Sequence, residues 1–138
     1  MAALAFTAYG VHWWAIGMAR VFGGDPRPNG FMSIAFTVIS VLGIVVFFKA
    51  ADTPVALLFI GLTCIYVSDF FASLFQRAPL AAPAGTTPAG APGKPRPTAI
   101  GELGERALGF FHLITGGWLM YLTFAVTLNT SVGTHLWL

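Results

Sequence analysis

Asp69, His12 and His112 carry the most chemistry in this sequence, because each stands inside a long run of apolar residues. An ionisable group at such a depth is costly unless it is paired, protonated or hydrated. Tyr66 lies three residues before Asp69 and Ser73 four after, so a helix places all three on one face. Two uses fit Asp69: a structural ion pair with Arg20 or Arg106, which lie toward the same end, or a pore or site residue facing water. His12 adjoins Trp13 and Trp14, and His112 shares a helix face with Thr115, Gly116 and Thr123. Two histidines and an aspartate can ligate copper or zinc. No two-histidine helical spacing brings them together, so no metal and no other cofactor is assigned. Interhelical hydrogen bonding, proton sensing or permeation are the competing uses of the histidines.

No nucleophile–base pair, phosphate loop or thiol motif is present, and no residue is assigned a catalytic role. The single cysteine, Cys64, cannot form an intramolecular disulfide and reads as a small packing residue. Ser33, Ser40 and Ser68 read the same way.

These residues need elements to hold them. The chain of 138 residues is 57% hydrophobic and 9% charged, with a mean hydropathy of +0.79. Soluble domains carry about 25% charge. Four apolar runs, at about 3–22, 31–48, 55–75 and 106–128, make up most of the sequence. Each is close to the ~20 residues that a helix needs to cross a ~30 Å hydrocarbon core. The expected fold is all-α: one membrane domain over 1–138, a bundle of four transmembrane helices in two hairpins. The first run lacks a basic leader and a small-residue cleavage site, and reads as a retained span.

Of the seven basic residues, Arg20, Arg27, Arg77, Lys94, Arg96 and Arg106 fall at the first and third connections, and only Lys49 at the second. The positive-inside rule then places both termini outside. A multi-pass protein of the plasma (inner) membrane follows, with the lipid bilayer as its surroundings. The basic groups are too few and scattered for nucleic acid.

Residues 23–30 are dense in turn formers and make the first hairpin tight. Ser33, Thr37, Ser40 and Gly43 form a small-residue stripe that lets another helix approach closely. Asp52 or Thr53 can cap the third helix, with Pro54 at its first position. Residues 77–99 hold most of the nine prolines and read as a flexible cytoplasmic loop. Glu102 and Glu105 are expected in the first turn of the fourth helix, where acidic groups suit the dipole. Leu136 and Trp137 near the end suggest an interfacial anchor.

Three stretches resemble the amide/urea channel family, which includes acid-gated urea channels and transporters of amidase operons. The first is Gly17-Met18 followed by Asp25-Pro26-Arg27 and a second span from near Asn29. The second is Gly61-Leu62-Thr63-Cys64-Ile65-Tyr66, similar to a family stretch whose final tyrosine helps line the pore. The third is Leu108-Gly109-Phe110-Phe111-His112-Leu113, at the start of the fourth span. The resemblance implies an outside N-terminus and a pore-lining Tyr66. The family has six spans where four are read here. Ile16 stands where an asparagine is usual, and Arg20 where an apolar residue is.

Three functions follow as expectations. The leading one is a non-enzymatic accessory or structural subunit of a larger membrane complex, packed against other integral membrane subunits. The alternatives are a passive, oligomeric channel for urea, short amides or similar small neutral solutes, and a subunit bearing a metal site built from His12, Asp69 and His112.

Overall fold

The computed structural model describes residues 2–22, 25–77 and 96–137, without the side chains of residues 2–6, Ala8, Ala19, Arg20, Arg77 and Arg96. It is all-α: helices α1 (Ala2–Phe22), α2 (Arg27–Lys49), α3 (Thr53–Leu74) and α4 (Ala99–Ser131). A two-residue antiparallel ladder, β1 (Gln76–Arg77) with β2 (Arg96–Pro97), joins the end of α3 to the start of α4. Three helices, α2, α3 and α4, are long and apolar enough to cross a membrane. α1 has 21 residues and, judged on the described residues, is not one of the three.

The outward faces explain the composition. α2 exposes Val38, Leu42 and Val46, each by more than half. α4 exposes Phe110, Leu113 and Phe124 to a similar or greater degree. In water a contiguous apolar surface of this kind would promote association. Against hydrocarbon it carries no such cost.

α3 is the central helix, packed on α2 at one side and α4 at the other. Small residues allow these approaches. Ser33 and Ser40 are fully buried, and a Cβ on Gly43 would stand 2.2 Å from the Phe59 ring. At the other interface, a Cβ on Gly104 would stand 2.6 Å from the Ala72 backbone nitrogen.

Several boundaries differ from the sequence expectation. α2 starts at Arg27, one turn before residue 31, because Pro28 fits the first turn and the Asp25 carboxylate accepts from the Arg27 N–H at 3.0 Å. α4 starts at Ala99, well before residue 106. Thr98 caps it, accepting from the Gly101 N–H at 3.1 Å, and donates its own hydroxyl to the Phe75 carbonyl at 2.8 Å. Arg77 and residues 96–99 therefore belong to ordered elements, not to the loop expected over 77–99. Residues 78–95, the bulk of that loop, lie outside the described residues. Glu102 is in the first turn of α4 and Glu105 is not. At ~1.5 Å per residue, the 33 residues of α4 exceed a bilayer core. Asp52 caps α3 as expected, accepting from the Val55 N–H at 3.2 Å. The tail folds back on α4: Asn129 bonds both backbone groups of Leu136, and Tyr121 donates to the Trp137 carbonyl.

Candidate functional site: a polar cleft between three helices

Helical spacing assembles the site. On α1, Tyr9, His12, Trp13 and Ile16 recur at intervals of three and four, and Tyr9, His12 and Ile16 are buried. On α3 the matching set is Ile65, Tyr66, Asp69 and Ser73, all buried. α4 contributes Leu108, His112 and Thr115, and α2 contributes Ser33, Phe36 and Ser40. Tyr66 is at the centre and fully buried. It stacks on Phe36 at 5.1 Å and Tyr9 at 5.6 Å between ring centroids, with His12 at 5.6 Å.

Asp69 is 3% exposed, and serines hold it. The Ser33 hydroxyl donates to Oδ2 at 2.5 Å and the Ser73 hydroxyl to Oδ1 at 3.0 Å. Ser33 also lies 2.9 Å from the Asn29 carbonyl, so its single hydrogen serves two acceptors, and the shorter contact is to the carboxylate. The expected partner Arg106 is committed elsewhere: it pairs with Glu102 at 2.7 Å, one turn back, with its side chain 77% exposed. Such a pair contributes at most about 1 kcal/mol. The other expected partner, the Arg20 side chain, lies outside the described residues.

The hydroxyl of Tyr9 is 3.1 Å from Ser40 Oγ, which donates to the Phe36 carbonyl at 2.8 Å. Tyr9 is therefore the donor of that pair. His112 Nδ1 is 2.6 Å from the Leu108 carbonyl. A carbonyl can only accept, so Nδ1 carries the hydrogen and the neutral ring presents a lone pair at Nε2. The Trp13 and His112 rings meet nearly perpendicular, with centroids 4.5 Å apart.

Among the described residues, several buried polar side-chain atoms have no hydrogen-bond partner. They are both ring nitrogens of His12, the Tyr66 hydroxyl, His112 Nε2 and Thr115 Oγ1. An unsatisfied buried polar atom costs about 1–3 kcal/mol. Two of these residues, Tyr66 and His112, line an open cleft of about 590 Å³ between α1, α3 and α4, with Trp13, Asp69, Glu105 and Gly109 among others; Thr115 lines a separate hollow between α3 and α4. The structure thus brings Asp69, Tyr66 and His112 to one cleft. His12 stands behind Tyr66, away from the cleft lining. Among the described residues, no three His, Cys, Asp or Glu groups are placed to hold a metal ion, so His12, Asp69 and His112 do not form a ligand set.

Sequence reasoning missed three contributors. Ser33 reads as a packing residue, yet it holds Asp69. Trp13 and Glu105 carry no signal beyond lying one or two turns from their neighbours on the same face. The chain matches no family model, no curated protein and no solved structure.

Proposed function

We propose that this is a non-enzymatic, multi-pass membrane protein that passes small hydrogen-bonding solutes through the polar cleft. The observation that carries this reading is that Tyr66 and His112, each with a buried polar atom that no protein group satisfies, line one cleft with Asp69. A helix that serves only to pack is better off with those groups satisfied or replaced by apolar ones. A polar solute or water supplies the missing partners. The resemblance to amide/urea channels supports the same reading, with Tyr66 at the pore and urea or short amides as the solutes.

In this reading α1 also crosses the bilayer, giving four spans in two hairpins with both termini outside, in the plasma (inner) membrane. Two tests follow. In proteoliposomes, urea efflux should exceed that of empty liposomes; flux no greater than the blank would end the channel reading. A cysteine engineered at Ala89 in intact cells should resist an impermeant thiol reagent added outside. Labelling from outside would invert the topology.

A second reading, an accessory subunit of a larger membrane complex, draws on the outer face of α4. Added Cβ atoms at Gly116 and Gly117 would meet nothing within 4 Å, which leaves room for another helix. Purification in mild detergent separates the two: a homo-oligomer supports the channel, and a stable complex with unrelated large subunits supports the subunit.

A further inference from the structure

Among the described residues, α2 gives no side chain to the cleft lining, yet it reaches the buried carboxylate there. Ser33 is fully buried, and its hydroxyl crosses from α2 to Asp69 Oδ2 at 2.5 Å. One turn before it stands Gly30, where an added Cβ would lie 2.7 Å from Leu74 Cγ and 3.2 Å from Ser73 Cβ. α2 is thus pressed on α3 at the turn that carries Ser73. The two serines on Asp69 differ in kind. Ser73 belongs to α3, four residues on from Asp69, and donates to Oδ1 at 3.0 Å. It moves with the helix that carries the carboxylate. Ser33 belongs to another helix, and its oxygen is held 2.9 Å from the Asn29 carbonyl one turn back on α2. The last side-chain torsion of an aspartate is broad, so a tie from a neighbouring helix at the second oxygen is what stops the carboxylate from turning.

We propose that Ser33 is a positioning residue for solute passage. It touches no solute, and it sets the direction in which Asp69 offers its remaining lone pairs to the cleft. This rests on the solute-handling reading above. A carboxylate has roughly four lone-pair sites, and the two serines take one each. The others serve a solute well only while the carboxylate plane stays fixed, because a binding group is useful when its own support holds it in place. α2 therefore governs a cleft that it does not line.

Ser33→Ala removes one oxygen and leaves Asp69 itself unchanged. Urea efflux from proteoliposomes of the whole protein should fall by roughly tenfold. A second readout does not depend on flux: modification of Asp69 by a lipid-soluble carbodiimide, followed by peptide mass spectrometry. Released at Oδ2, Asp69 should react several-fold faster in Ser33→Ala than in the unaltered protein. Ser68→Ala separates position from packing. Ser68 is also buried and adjoins Asp69 in sequence, but it bonds to the Cys64 carbonyl, and its loss should change neither readout. Gly30→Ala keeps the Ser33 hydroxyl and pushes α2 off α3 one turn away, so it should shift both readouts in the direction of Ser33→Ala. It keeps the test decisive if Ser33→Ala does not fold. Unchanged efflux in the folded variant, with or without faster modification, would overturn the proposal and leave the solute reading standing. An equal fall in Ser68→Ala would overturn it too, by tracing the loss to packing. Efflux from the unaltered protein no greater than from empty liposomes would remove both the solute reading and the role of Ser33.

Discussion

Asp69→Leu should reduce solute flux to that of empty liposomes while leaving the bundle as stable as before, or more so. The carboxylate is 3% exposed, and removing a charge from an apolar surrounding removes a desolvation cost. Its two donors are not stranded by the change. Ser33 already lies 2.9 Å from the Asn29 carbonyl. Ser73 can turn to the backbone carbonyl four residues back, as Thr37, Ser40, Thr63 and Ser68 do. What leucine takes away is the acceptor that faces the cleft. A residue whose removal leaves stability intact and ends function is retained for its site. Thermal unfolding in detergent, read beside flux, checks both halves. A collapse in folded yield with leucine would mean that Asp69 is structural.

Gly104→Leu should do the opposite, lowering the stability of the folded bundle. Its Cβ would lie 2.6 Å from the Ala72 nitrogen and 3.0 Å from the Phe71 carbonyl carbon. At Gly101 the nearest atom would be the Phe75 carbonyl oxygen, at 2.4 Å. These are backbone atoms of α3 and of its C-cap, Phe75, which cannot swing aside as a side chain can, so the helices must separate where the cleft is built. Overpacking of this kind costs ~1–3 kcal/mol or more. The same change at Gly116, where nothing lies within 4 Å, should alter stability by no more than about 0.5 kcal/mol. Unfolding in a graded denaturing detergent compares the two; equal stabilities would show that α3 and α4 do not approach as closely as Gly104 allows.

The helices are written in the apolar runs, and their ends are not. Hydrophobicity marks what lies in the core or in lipid, whereas helix starts depend on local donors and acceptors. Asp25 and Thr98 each take an orphan N–H and extend a helix beyond its apolar run. Pro97, which reads as more loop, immediately precedes that cap. Asp69 stands out because a charge inside an apolar run has an obvious cost. Its partner does not stand out. The cost says that some donor must be near, and Arg106 suits it by charge, but α2 approaches α3 closely enough along its small-residue face for Ser33 to reach first. The cleft is invisible in one sequence, since Trp13, Asp69 and Glu105 meet only when three helices pack.

The central claim is that a wet polar cleft runs inside a bundle surrounded by lipid, and cysteine accessibility reads it most directly. In a Cys64→Ala background in liposomes, Gly109→Cys adds a thiol to the cleft lining, where a Cβ meets nothing within 4 Å. Phe110→Cys adds one at the same depth on an outward face, at a position 59% exposed in the structure. A charged, membrane-impermeant methanethiosulfonate should modify the thiol at 109 readily and leave the one at 110 unmodified. Equal modification at both positions would mean that α4 lies in water, and no modification at 109 would mean that the cleft is dry; either result contradicts the account.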